Sequence, residues 1–213
     1  YVAVKLGHAG VVRILAELGA SVETPDNSGA TPAYIAAEHG RVEVVRLLAE
    51  LGANVKTPAN DGATPAFIAA QKGHVEVLRL LAELGANVKT PKNDGATPAY
   101  IAAEMGHAEV VMLLAELGAD VETPKNNGAT PAFIAAQEGH PEVIRLLTSL
   151  KPDLVTTATK AGWTPRAISV QQGRLEATKT LLLLGAPVTI RDLKQYTNAH
   201  ADARQLRADL QAW

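Results

Sequence analysis

The sequence predicts an all-α solenoid of helix–turn–helix–hairpin units, and three observations lead there. Thr-Pro recurs at Thr31-Pro32, Thr64-Pro65, Thr97-Pro98 and Thr130-Pro131, always 33 residues apart, then at Thr164-Pro165 after 34, with Thr197-Asn198 a further 33 on. A fixed period of this length marks a repeat array. The chain is 47% hydrophobic but only 4% aromatic, so its buried area comes from Ala, Leu and Val, through many small helix contacts rather than one large core. Each unit also carries start and stop signals for two helices too short to bury their apolar faces alone, so stacked neighbours must do it.

The elements follow in order within residues 64–95. Thr64 is suited to an N-cap and Pro65 to the first helical position, where a missing N–H costs nothing. Phe67, Ile68, Ala69 and Ala70 carry a short helix that Gly73 ends. A second helix begins near His74, and the fifth unit agrees, because Pro141 fits only at a helix start and Glu142 is favourable in its first turn. Val77, Leu78, Leu80, Leu81 and Leu84 form an apolar stripe at helical spacing until Gly85. Residues 86–95 are rich in turn formers and read as a hairpin-like projection.

Run backwards, the register sets Tyr1 opposite Tyr34, Gly7 opposite Gly40 and Arg13 opposite Arg46. The expected organisation is a single array: a cut first repeat at 1–28, repeats at 29–61, 62–94, 95–127, 128–161 and 162–194, and a capping remnant at 195–213. Leu206, Leu210 and Trp213 supply the apolar stripe of that cap. Val2, Val4, Leu6 and Val11 lie in a first unit without the Thr-Pro and hairpin of a cap, and upstream residues or a partner are expected to cover them. Leu150-Lys151-Pro152-Asp153-Leu154 replaces Leu-Gly-Ala-Asn-Val and adds a residue, so the hairpin before the sixth repeat takes a different path.

The repeating residues closely resemble the ankyrin-repeat family. Its pattern G-x-T-P-L-H-x-A-A is similar to Gly62-Ala63-Thr64-Pro65-Ala66-Phe67-Ile68-Ala69-Ala70. Its second-helix and loop patterns resemble Gly73-His74-Val75-Glu76-Val77-Leu78-Arg79-Leu80-Leu81-Ala82 and Gly85-Ala86-Asn87-Val88-Lys89. Two departures stand out. Leu-His after Thr-Pro is here Ala-Tyr (Ala33-Tyr34, Ala99-Tyr100) or Ala-Phe (Ala66-Phe67, Ala132-Phe133), as if volume had moved from the leucine to the aromatic. The Asn of the loop is Glu23, Lys56, Lys89 or Glu122. Tyr34/Glu38 and Tyr100/Glu104 alternate with Phe67/Gln71 and Phe133/Gln137, the trace that duplication of a repeat pair would leave.

Composition and motifs narrow the function. There are no cysteines, which excludes disulfides, thiolate nucleophiles and Cys-ligated zinc and suits a cytoplasmic or other reducing intracellular compartment, organelles included. Lys and Arg number 20 against 22 Asp and Glu, so no basic excess points to nucleic acid. No apolar run reaches the roughly 18–20 residues of a transmembrane segment. His8, His74, His107 and His140 share a slot with Arg41 and Arg174. Stacked helices lie roughly 8–10 Å apart, too far for equivalent histidines to share a zinc ion, whose ligands sit about 2 Å from it. They are expected to open the second helix as polar capping residues. His200 and Asp202 make no constellation. Serines sit in no G-x-S-x-G elbow, and no P-loop or G-x-G-x-x-G string occurs. Glu43, Glu76, Glu109 and Glu142 recur at a helix start, which is dipole complementarity. The expectation is a chain that is not an enzyme and takes no metal or cofactor.

The resemblance implies binding of a partner protein through the concave face, made from hairpins and the exposed edge of each first helix. Those positions are Asn60, Asp61, Asn93, Asp94, Asn126 and Asn127 at the hairpins, and Glu38, His39, Gln71, Lys72, Glu104, Met105, Gln137 and Glu138 on the helices. Trp163 joins them, standing where other units have Ala30, Ala63, Ala96 and Ala129. The hairpins are nearly uniform, while His39, Lys72, Met105 and Glu138 differ in every unit. The expected function is a protein–protein interaction module or scaffold subunit of a larger assembly. The alternative reading, prompted by the cut first repeat, is a regulatory or targeting segment of a larger enzyme or channel.

Overall fold

The computed structural model describes residues 1–186. The end of the sixth repeat, the remnant at 195–213 and the residues expected to cap the array (Leu206, Leu210, Trp213), together with His200 and Asp202, lie outside the described residues. Every regular element described is helical, and no strand occurs among the described residues. The chain divides into two compact units, Tyr1–Val121 and Glu122–Trp213.

In the first unit the helices alternate between two layers. The first helices are α1 (Val2–Leu6), α3 (Pro32–Glu38), α5 (Pro65–Lys72) and α7 (Pro98–Glu104); the second are α2 (Ala9–Glu17), α4 (Val42–Glu50), α6 (Val75–Glu83) and α8 (Ala108–Glu116). Each first helix packs on the next first helix, each second on the next second, and each pair on itself. Thr31, Thr64 and Thr97 cap α3, α5 and α7, their hydroxyls accepting the amide of Tyr34, Phe67 or Tyr100 at 3.1–3.3 Å, with proline at the first helical position.

The core lies between the layers. Val44, Val45, Leu47 and Leu48 of α4 are buried, as are the matching Val77, Leu78, Leu80 and Leu81 of α6 and Val110, Val111, Leu113 and Leu114 of α8. Each such side chain contributes about 1.5–3 kcal/mol. Ala66 and Ala99 are buried, and so are the aromatics that follow them, Phe67 and Tyr100. Tyr34 is only half-buried.

The first helix pair departs from this pattern. Val4 and Val12 are buried, but Val2 and Leu6 are exposed. Val11 is 48% exposed where its equivalent Val44 is 1%, and Ile14 is 58% where Leu47 is 4%. Later repeats bury these positions beneath the preceding pair.

Polar side chains join repeat to repeat at a constant offset. His74 and His107 occupy N-cap positions but make no side-chain capping bond, so the capping role expected of them does not hold. Their Nε2 atoms instead reach the carbonyls of Glu38 and Gln71, in the first helix of the preceding repeat, at 3.1 and 3.0 Å. These carbonyls stand at helix C-termini, where no intrahelical donor remains. Arg41, in the same slot, donates from Nε to the Lys5 carbonyl at 2.9 Å. Gly40 and Gly73 leave room for the rings: a Cβ on either would lie 2.9 Å from the imidazole. Since either side chain can do the job, His74→Arg should leave stability nearly unchanged. His74→Leu should cost about 1 kcal/mol for the lost bond. Urea denaturation of the two variants checks this, and equal losses would contradict it.

The hairpins carry a second ladder. The Asn60 amide donates to Ser28 and its Nδ2 to the Asn27 carbonyl, and one repeat later Asn93 does the same to Asp61 and Asn60.

The second unit holds α9 (Pro131–Glu138), α10 (Pro141–Leu150), α11 (Pro165–Gln171) and α12 (Leu175–Leu183), with α9 on α11 and α10 on α12. Thr130 and Thr164 cap α9 and α11. The inserted residue before the sixth repeat is absorbed by a 3₁₀ turn at Pro152–Val155 that buries Leu154 and Val155. Ser169 and Thr178, where the other units carry Ala and Val, Leu or Ile, are buried. Their hydroxyls meet at 2.9 Å and reach the Arg166 and Arg174 carbonyls, which satisfies them as buried polar groups require. Arg174 repeats the stitch seen in the first unit, with Nε 2.9 Å from the Gln137 carbonyl.

Candidate protein-binding surface

In the first unit the candidate residues separate into two kinds. Those at the hairpins are occupied in holding the fold. Asn60 and Asn93 spend their side-chain amides on the ladder. The Asp61 carboxylate accepts the Ala63 amide at 3.0 Å, closing its own turn, and Asp94 does likewise for Ala96 at 3.1 Å. Asp61 also pairs with Lys92 of the next hairpin at 2.8 Å. The hydrogen bond from Lys92 holds the Asp61 carboxyl below the usual carboxylate range, and the same bond raises the Lys92 ammonium.

The candidates at the ends of the first helices face solvent to differing degrees. Glu38, His39, Gln71 and Glu104 are half-buried, while Lys72 and Met105 are exposed. Glu38 lies 3.8 Å from the His39 ring and 4.0 Å from Lys72. Partly solvated pairs of this kind contribute little, about 1 kcal/mol at most. The Nδ1 of His39 lies 3.0 Å from the Ile35 carbonyl of its own helix. Met105 projects a flexible apolar side chain from the end of α7.

Tyr34 was not among the positions singled out for binding, yet it lies in the same region. Burial, helped by the carboxylates of Asp61, Glu38 and Asp26, pushes its phenol up to about 12. The folded chain thus holds this proton more tightly than the unfolded chain, in which tyrosine titrates near about 10. The stability it supports is intact below about pH 10 and is lost as the pH rises towards 12. Tyr34→Phe should therefore flatten the alkaline arm of the stability curve, followed by circular dichroism. An unchanged arm would show that another group titrates there.

In the second unit Asn126 and Asn127 are exposed, and Asn127 Oδ1 accepts the Ala129 amide at 3.0 Å. Gln137 and Glu138 are half-buried and hydrogen-bonded to each other, and Glu138 also lies 3.5 Å from Arg174. Trp163 is half-buried where the equivalent alanines are buried, and its backbone closes a turn with Thr159. Thus the larger side chain that replaces alanine is only partly covered, on a turn whose backbone bond matches that of Ala59 to Ala63.

The described residues contain no group of three His, Asp or Glu placed to hold a metal ion, and none of their helices is long and apolar enough to cross a membrane. Short helices in two layers, stitched at intervals of one repeat, define a helical-repeat protein. A family model for ankyrin repeats, in three copies, matches residues 1–59, 51–125 and 121–192. The chain belongs to the ankyrin-repeat family. No curated protein gives a significant match to it. Ankyrin repeats generally serve as protein–protein interaction modules, and the family is typically non-catalytic.

Proposed function

We propose that the chain is a scaffold or assembly subunit that holds a partner protein against the ends of its first helices and the adjoining hairpins, the region the family resemblance marks as concave. One contrast carries this reading. Positions that stitch repeats keep the same job whatever their residue, as Arg41, His74 and His107 show. The neighbouring slot keeps no common contact: His39 reaches the Ile35 carbonyl of its own helix, Lys72 lies 4.0 Å from Glu38, Met105 is exposed, and Glu138 of the second unit lies 3.5 Å from Arg174. A surface on a fixed frame is preorganised and loses little entropy on binding. The cysteine-free composition fits work in a reducing compartment.

The test compares faces. Met105→Glu and Trp163→Ala should each weaken association with a partner captured by the intact chain, while thermal unfolding stays nearly unchanged. Removing a hot-spot Trp costs about 2 kcal/mol, roughly thirtyfold in Kd. Arg79→Glu, on the exposed side of α6, should change affinity little. Loss of binding by Arg79→Glu with the other two silent would place the interface on the second helices instead.

A further inference from the structure

The chain carries a second Thr-Pro series, in the hairpins: Thr24-Pro25, Thr57-Pro58, Thr90-Pro91 and Thr123-Pro124, again 33 residues apart. The first three belong to the first unit. The two series differ in every property that matters to an enzyme acting on them. In the helical series Thr31, Thr64 and Thr97 are 4–7% exposed, their oxygens are used as N-caps, and the prolines behind them are buried. In the hairpin series Thr24 is exposed, Thr57 and Thr90 are half-exposed, and Pro25, Pro58 and Pro91 all face solvent.

The hairpin hydroxyls also do little for the fold. Thr57 Oγ1 makes one long contact, 3.4 Å to the Asn54 carbonyl, and the hydroxyls of Thr24 and Thr90 make no hydrogen bond among the described residues. Proline at these places is accounted for by loop stiffening. The residue before it is held extended, a conformation any β-branched side chain adopts. A hydroxyl is therefore not required by the structure, yet it recurs at each hairpin.

We propose that Thr24, Thr57 and Thr90 are phosphoacceptors for a proline-directed serine/threonine kinase. The threonine Oγ attacks the γ-phosphorus of Mg-ATP. The Oγ–P bond forms, the bond from γ-phosphorus to the bridging oxygen breaks, the hydroxyl proton passes to the kinase's base, and ADP leaves. Each phosphate adds about −1.5 to −2 charges and three acceptor oxygens to a projecting hairpin. Lys89 precedes Thr90 and Lys56 precedes Thr57, so these two sites offer a cation to the new group. Thr24 stands between Glu23 and Asp26-containing sequence and offers none. The sites stand independently of the partner-binding reading.

The experiment incubates the intact 213-residue chain with Mg-ATP and a proline-directed kinase, then maps phosphate by mass spectrometry. Folded chain should be labelled at Thr24, Thr57 and Thr90 and remain bare at Thr31, Thr64 and Thr97. Chain held in urea and diluted into the reaction should be labelled in both series. Pro91→Ala should lose at least tenfold of the label at Thr90 while its circular dichroism stays that of the parent. Folded chain bare at the hairpins, or label at Thr90 that survives Pro91→Ala, would overturn the proposal.

Discussion

Gly62→Ala should destabilise the chain far more than Gly52→Ala, although both glycines adopt left-handed backbone, with φ of 85° and 84°. A Cβ on Gly52 meets nothing within 4 Å, so that change costs only the conformational strain, about 1–2 kcal/mol. A Cβ on Gly62 would lie 2.9 Å from the backbone nitrogen of Asn93 and against its side-chain oxygen. The next hairpin must then move, which breaks the Asn93 bonds to the Asp61 and Asn60 carbonyls. At about 1 kcal/mol for each bond, the total reaches roughly 3–4 kcal/mol. Urea midpoints of the two variants decide the matter, and equal midpoints would show that the ladder carries no stability.

Leu81→Ala should cost about 3–5 kcal/mol, the usual range for emptying a buried leucine site, because Leu81 is wholly buried between the layers. Leu15 holds the same register two repeats earlier but is 45% exposed. Leu15→Ala should cost under about 1 kcal/mol, nearer to surface behaviour. A typical domain has only about 5–15 kcal/mol to lose, so the first variant endangers folding while the second does not. Differential scanning calorimetry separates them. Similar falls in Tm would mean that the first helix pair is as well covered as the interior ones.

Much of the architecture could be read before any coordinates, because helix signals are local. Thr64 with Pro65, Gly73 at the end of α5 and Pro141 at the head of α10 each act within one turn of themselves, and each lies where expected. What escaped the reading acts across repeats. His74 has the position of a cap, and nothing in its neighbours shows that its ring crosses to Glu38, a contact 36 residues away. The equivalence of Arg41, His74 and Arg174 in one slot was visible. It becomes intelligible only when the acceptor is known to be a helix-end carbonyl, for which a guanidinium and an imidazole are alternatives. The candidate binding positions came from the family resemblance rather than from local signals. The family resemblance implied Lys72 and Met105, which are exposed, but it also implied Asn60 and Asn93, which spend their side-chain amides on the ladder they build. Tyr34 was missed because its environment of Asp26, Glu38 and Asp61 is assembled from two hairpins and a helix.

The 33-residue offset of the hairpin ladder bears on how such a chain can change length. Asn60 bonds to Asn27, and Asn93 to Asn60, always through a backbone carbonyl that any residue supplies. Excising residues 29–61 would set Asn93 opposite Asn27 and His74 opposite Lys5, the acceptor that Arg41 uses, leaving each donor an acceptor of the same chemistry. Adding a copy would likewise create no new kind of junction. A gene encoding this region can therefore gain or lose whole repeats without a compensating substitution, and only changes that are not multiples of the period must be absorbed locally, as the extra residue at Pro152–Val155 is by its 3₁₀ turn.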